Sequence, residues 1–186
     1  MRLLFILMIT LFLNADDGYE KALRYLNGEV GGKTVVKIAP RCPYERCDGN
    51  TTYKYVVKDK KRGYELLKSI YKDDERASFE ALNILIKQID YKSNKYDDYL
   101  LKKLEKDYGL SEKNYNTDVL LFANTLSDST NKEHSCKGNF ILFSAYKFGY
   151  FGLSKNNALS NIKKEIALKN CSSNSYDYFI LKNTKG

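Results

Sequence analysis

Four cysteines and one histidine are the residues of this chain whose chemistry depends most on spacing. Cys42 and Cys47 lie in the segment RCPYERC, which does not have the C-x-x-C spacing of redox-active pairs. A zinc site would need both of them to converge with His134 and Cys136, which lie in EHSC. With one histidine in the chain, zinc sites built on two or three imidazoles are excluded.

The amino-terminal fifteen residues have the order of a secretory signal peptide. Arg2 supplies a positive charge, residues 3–13 are apolar, and Ala15 is a small residue suited to a cleavage site. The apolar run is too short to cross a bilayer, which takes ~20 residues in a helix. We therefore expect cleavage near Ala15 and export to the periplasm or out of the cell. A buried amino-terminal helix is the alternative.

Export to an oxidising compartment favours disulfides over metal ligands when the number of cysteines is even. Three pairings are possible, and we predict the local-plus-long pairing, Cys42–Cys47 with Cys136–Cys171. The long loop closed by the second bond would stabilise the fold by about 3–4 kcal/mol. Metal ligation and a redox pair are the alternatives, and no cofactor is expected.

The formal net charge of the chain is +8. A basic protein outside the cytoplasm does not normally meet nucleic acid, so its anionic partners would be head groups, cell-wall polymers or an acidic protein. We expect a protein partner, an acidic one, and no nucleic acid. Because the lysines are scattered among acidic residues, a solvated basic surface is the alternative.

Apolar residues recur with helical spacing over most of the chain. They predict an amphipathic helix at residues 19–27 and, from Asp59 onward, helices of about 8–16 residues. The apolar faces of these later helices lie within 66–71, 77–89, 99–108, 119–126 and 158–166. Residues 138–152 are apolar on nearly every side, which predicts the buried centre of the fold. The predicted fold class is mainly α, with antiparallel helical hairpins that form a repeat-like array or an irregular bundle, as a single domain over residues 16–186.

Three segments depart from that helical pattern. The β-prone residues within 33–58 predict a small β-hairpin-like excursion, for which a long ordered loop is the alternative. Residues 127–135 predict a loop that would contain His134. Residues 176–181 suit either a terminal strand or a docking helix turn.

Adjacent acidic residues occur at two predicted helix starts, Asp73–Asp74 and Asp97–Asp98. Glycosidases need two carboxyl groups about 5–10 Å apart across a cleft. Neighbouring acids at helix starts are better explained as caps that complement the helix dipole. Asp118 leads the apolar stripe 119–126 of a predicted helix.

No catalytic residue is predicted, and we expect no enzyme activity. A cysteine nucleophile needs a histidine near it in space, and His134 lies only two residues from Cys136 in a predicted polar loop. The alternative from the enzyme class is a cell-wall-active hydrolase that uses acids such as Glu133 or Asp98.

The loop 41–50 contains Arg41, Tyr44, Glu45 and Arg46, a charged and aromatic set beside the predicted local disulfide. Tyrosine and arginine anchor protein interfaces, so this loop is a candidate recognition site. It would let the protein act as a periplasmic immunity or inhibitor protein that blocks a toxin or a cell-wall enzyme. A surface turn held in shape by the disulfide is the alternative.

Two stretches carry a resemblance to a known family. Residues 57–70 and 146–166 share glycines, an Asp or Asn, and a helical Leu-x-x-Ile spacing. This arrangement is similar to the Sel-like repeat, a relative of the tetratricopeptide repeat, best over residues 136–171. The resemblance implies stacked helix pairs, stapled by disulfides in secreted members, with Cys136–Cys171 bracketing one pair. It favours an exported helical scaffold that binds another macromolecule.

Overall fold

The computed structural model of the chain describes residues 18–28, 33–35, 53–55, 58–86 and 98–184. The chain divides into two units, Met1–Leu66 and Leu67–Gly186. The predicted signal peptide and its cleavage near Ala15 lie outside the described residues. No helix among those residues is both long and apolar enough to span a membrane.

The first unit contains helix α1, described over residues 18–27, as predicted. The helix ends at Gly28, whose N–H donates to the carbonyl of Arg24 at 2.8 Å. Tyr25 is buried, and the Arg62 guanidinium lies 4.8 Å from the centre of its ring. The backbone N–H of Asp59 donates to the Tyr25 carbonyl at 3.1 Å, which fixes the chain that enters the next helix.

The first unit also contains two short strands, β1 (Lys33–Val35) and β2 (Tyr53–Tyr55). They pair antiparallel, with Thr34 opposite Lys54. Residues 36–52, which include the candidate recognition loop, lie outside the described residues. Beyond this three-residue ladder, the hairpin-like excursion over residues 33–58 therefore stays a prediction.

The remaining helices confirm a mainly helical fold. They are α2 (Lys60–Ile70), α3 (Glu75–Ile86), α4 (Asp98–Tyr108), α5 (Glu112–Ser127), α6 (Lys132–Phe148), α7 (Asn157–Asn170) and α8 (Tyr176–Asn183). The unit boundary falls within α2, between Leu66 and Leu67. Residues 176–181, which suited either a strand or a helix, form most of α8.

Helix α6 is the core of the second unit, as its apolar sequence predicts. Its residues 138–145 are all buried, so the helix contacts neighbours on every side. It ends at Gly149, which has the left-handed conformation (φ 77°, ψ 39°) that closes many helices. The Gly149 N–H donates to the Ala145 carbonyl at 2.9 Å.

Helices α6 and α7 form an antiparallel hairpin. Cys136 near the start of α6 is bonded to Cys171 at the end of α7. At the other end of the pair, the Asn156 N–H donates to the Tyr146 carbonyl at 2.9 Å. The Asn156 side chain also caps α7 by accepting from the Leu159 N–H at 3.0 Å.

Helix α5 begins earlier than predicted. Ser111 caps it and Glu112 is its first residue, so Asp118 lies inside the helix and does not begin it. Tyr115, one turn before Asp118, is fully buried and extends the apolar face toward the amino terminus. The expectation that Asp118 leads this helix is therefore wrong: Ser111 caps the helix by accepting from the Asn114 N–H at 3.4 Å, and the Asp118 carboxylate instead binds Lys68.

Helix α6 also begins earlier than predicted, which shortens the loop expected over residues 127–135. Asn131 caps the helix by accepting from the backbone N–H groups of Glu133 and His134, at 2.9 and 3.3 Å. His134 and Cys136 therefore lie on the first turns of a helix, and the prediction of a polar loop around them is wrong.

Candidate functional site

The loop 41–50 lies outside the described residues. Its four candidate side chains, Arg41, Tyr44, Glu45 and Arg46, and the predicted Cys42–Cys47 bond therefore lie outside them as well. They remain predictions from the sequence.

The predicted bond between Cys136 and Cys171 is confirmed, with a Cα–Cα distance of 4.8 Å. Both cysteines are buried, and within the described ranges no group of histidine, cysteine or acidic residues is placed to hold a metal ion. The bond joins the second turn of α6 to the residue that caps the end of α7. These two cysteines therefore act as a structural cross-link.

His134 is engaged with α3. Its Nδ1 lies 2.7 Å from the Glu75 Oε1, and its ring stacks on Phe79 with centroids 4.5 Å apart. The His134 side chain is only 14 % exposed. Since Cys136 is bonded to Cys171, a Cys–His pair of the catalytic kind is not formed here.

The acidic pair before α3 acts as a helix cap. Asp74 accepts from the Arg76 backbone N–H at 3.0 Å, and the Arg76 guanidinium binds the same carboxylate. The Arg76 side-chain hydrogen bond holds the pKa of Asp74 below its usual range, although burial acts in the opposite direction. Asp98 is the first residue of α4, and Asp97 lies outside the described residues.

A groove with a volume of about 790 Å³ lies beside the disulfide. Its walls come from α3, the start of α6, the last turn of α7, and the segment that leads into α8. Cys136 and Cys171 both line it, so the cross-link forms part of the groove wall. Its volume is within the range of ~300–1,000 Å³ that is typical of ligand pockets.

Five charged side chains line the groove: Lys132, Glu133, Lys137, Lys169 and Asp177. Lys137 Nζ lies 3.4 Å from Asp177 Oδ2, which pairs α6 with α8. The two charges of this pair cancel each other, which leaves the ammonium groups of two lysines and the carboxylate of Glu133 in the lining. The remaining charge of the lining is therefore one positive unit.

Hydrogen bonds behind the groove hold one of its polar side chains in place. Asn170 Nδ2 donates to Ser135 Oγ at 2.9 Å. Ser135 in turn donates to the Ser127 carbonyl at 3.2 Å, and Asn139 donates to the same carbonyl at 3.0 Å. Because Ser135 and Asn139 are buried, Asn170 is anchored to the core at the groove edge.

The sequence did not predict this groove, although two observations pointed near it. The predicted Cys136–Cys171 bond marked where α6 and the end of α7 meet. Glu133 was named as an acid for the hydrolase alternative, and it lines the groove. Asn83, Lys169 and Asp177 were missed because they lie on three other elements, brought together only by the packing of α3, α7 and α8 around α6.

Comparison with known proteins gives no match to this chain, whether against family models, curated proteins or solved structures.

Proposed function

We propose that this chain is an exported binding protein without catalytic activity, in which the helices form a scaffold and the groove beside Cys136–Cys171 takes a segment of a protein partner. The observation that carries the proposal is the groove itself, a recess of about 790 Å³ walled by four elements of the second unit. The similarity to Sel-like repeats, together with the signal-peptide pattern at residues 1–15, supports an exported scaffold.

Three links join the elements that form the walls of the groove. The disulfide joins α6 to the end of α7, the Lys137–Asp177 pair joins α6 to α8, and the Glu75–His134 contact joins α3 to α6. A rigid site loses little conformational freedom when it binds, and this favours affinity. These three links favour a groove that is already formed when a partner binds.

The test is partner capture by the mature, oxidised protein immobilised and exposed to an extract of its own cell envelope. Ser172→Trp places a bulky ring in the groove, because Ser172 is exposed and lines it. Ser154→Trp is the matched control, since Ser154 is also exposed and does not line the groove. We expect S172W to lose the captured protein and S154W to keep it. Equal capture by both variants would show that the groove is not the binding site.

A cell-wall hydrolase is the second candidate, favoured by one observation: Glu133 and Asp177 both line the same groove. Two carboxyl groups across a cleft are the catalytic pair of glycosidases. If the protein releases soluble fragments from purified cell wall, and Glu133→Gln abolishes that release, the hydrolase replaces the binding protein. If wild type and E133Q are equally inactive in that assay, the hydrolase is rejected.

A further inference from the structure

Two lysines in the groove have no acidic partner among the residues that the structure describes. Lys132 is the first residue of α6, and Lys169 lies in the last turn of α7. Both are exposed, and both line the groove on elements that the Cys136–Cys171 bond joins. The two ammonium groups are therefore available to a negatively charged ligand in the groove.

The third lysine of the groove is already paired. Lys137 binds Asp177 at 3.4 Å, and the side chains of both are less than one quarter exposed. Glu133 is then the remaining carboxylate of the groove lining, and its negative charge partly offsets the positive charges of Lys132 and Lys169. A ligand with two or more negative charges would be attracted by the ammonium groups of both lysines and repelled by one carboxylate.

The uncharged part of the groove suits a polypeptide backbone. Asn83 on α3 and Asn170 on α7 line it, and a carboxamide offers both donors and an acceptor, as each peptide unit does. Phe79 adds an apolar surface, and its ring is held by stacking on His134. The volume suits a short extended segment and is too small for a folded domain.

We propose that the groove binds an extended acidic peptide segment, with its carboxylates against Lys132 and Lys169 and its backbone against Asn83 and Asn170. The inference rests on the proposed function and names the chemical class of the partner segment. A bilayer surface is a less suitable anion, because a flat surface cannot enter a recess walled by four elements.

The test uses a fluorescein-labelled hexaglutamate peptide, with hexaglutamine and hexalysine of the same length, and follows fluorescence anisotropy with the oxidised mature protein. We expect hexaglutamate to bind, with an affinity that falls as salt screens the charges, and the other two peptides not to bind. The double variant K132Q/K169Q should bind hexaglutamate about tenfold more weakly. K103Q/K113Q is the matched control, because both lysines are exposed and neither lines the groove.

Glu133→Gln supplies a change in the opposite direction. It removes the one unpaired acid of the groove lining, so hexaglutamate should bind a few-fold more tightly. Unfolding of the variant would weaken binding instead. The direction of the change in affinity therefore separates an effect on ligand binding from an effect on protein stability. Circular dichroism melting of each variant checks that the helices remain.

The acidic-segment proposal fails if hexaglutamate does not bind, if it binds equally well to K132Q/K169Q and K103Q/K113Q, or if hexaglutamine binds as well as hexaglutamate. If S172W still abolishes capture of the natural partner while K132Q/K169Q retains it, the groove is the binding site and only the acidic class is wrong. If S172W leaves capture unchanged, the proposed function itself fails. If hexaglutamine binds as well as hexaglutamate, the groove recognises the peptide backbone and not the charge of the side chains.

Discussion

Lys68 Nζ lies 2.6 Å from one carboxylate oxygen of Asp118 and 2.8 Å from the other. The Asp118 side chain is only 2 % exposed, whereas that of Lys68 is 41 % exposed. Lys68 is in the last turn of α2, and Asp118 is inside α5, so the pair joins two helices that are 50 residues apart in sequence. The lysine brings its ammonium group to a carboxylate that is shielded from water.

Lys68→Met should destabilise the protein, because it leaves a buried carboxylate without its ammonium partner. The expected loss of unfolding free energy is about 2–3 kcal/mol, below the cost of breaking a fully buried pair because Lys68 is partly exposed. Urea unfolding followed by circular dichroism measures it. Lys113→Met is the control, since Lys113 is exposed on the same helix as Asp118, and its loss should be small.

A double variant separates the pair from the effects of each residue alone. K68M/D118L removes both charges, so it should be less destabilised than the sum of K68M and D118L. If the two single losses simply add, the ion pair contributes nothing to the stability of the fold.

The parts of the fold that the sequence predicted are those set by neighbouring residues. Residues 138–152 are apolar on nearly every side, and residues 138–145 of this segment are buried at the centre of the second unit. The acidic pair at Asp73–Asp74 supplies the cap of α3 through Asp74. In each case the structure depends on residues within one or two turns, and short-range spacing records those interactions.

Two of the errors arose where distant residues decide the structure, and one arose from a local cap. Asp118 leads the apolar stripe 119–126 in the sequence, but it lies inside α5 and its partner Lys68 lies on another helix. The segment 127–135 predicts a loop, but Asn131 caps α6 within it, so His134 lies in the helix and its ring contacts Glu75 on α3. The groove depends on four elements, so no local pattern could have located it.

Helices α5 and α6 approach each other closely at Gly138. A Cβ at this position would lie 2.5 Å from the Ser127 backbone N and 2.6 Å from the Ala123 carbonyl oxygen. Because backbone atoms cannot move aside individually, Gly138→Ala should destabilise the protein by about 2–4 kcal/mol. The measurement is urea unfolding of the protein, followed by circular dichroism.

Gly152→Ala is the comparison for G138A, because a Cβ at Gly152 would meet no atom within 4 Å. Gly152 has a positive φ of 78°, so alanine should still cost about 1 kcal/mol through backbone strain. If G138A is no more destabilising than G152A, the close approach of α5 and α6 is not as tight as the structure has it.

The disulfide closes a loop between residues 35 apart in sequence. In the chain-entropy model, Cys136→Ser with Cys171→Ser should lower the unfolding free energy by about 3–4 kcal/mol. Urea unfolding in non-reducing buffer, with Cys42 and Cys47 left in place, measures the loss. If the double serine variant unfolds at the same urea concentration as the oxidised wild type, the cross-link does not stabilise the fold.

Asp74 should make the stability of the protein depend on pH in acid. The side-chain hydrogen bond from Arg76 lowers the pKa of Asp74 in the folded chain below its usual 3.8, while burial opposes that shift. Because the folded pKa is the lower one, the ionised form stabilises the fold above pH 3.8. That stability is lost as the pH falls through 3.8 and then through the pKa of the folded chain.

Asp74→Asn isolates the charge, since asparagine is also a good helix cap and keeps an oxygen for the Arg76 backbone N–H. At pH 7 we expect D74N to be less stable than wild type by roughly 0.5–1 kcal/mol, because the carboxylate is the better acceptor for the Arg76 guanidinium. Urea unfolding at several pH values between 7 and 2 should show this difference shrinking to near zero in acid, where wild-type Asp74 is itself protonated. A difference that persists unchanged to the lowest pH would assign the loss to shape and not to charge. Arg76→Gln should abolish most of the pH-dependent part while it leaves the backbone cap in place.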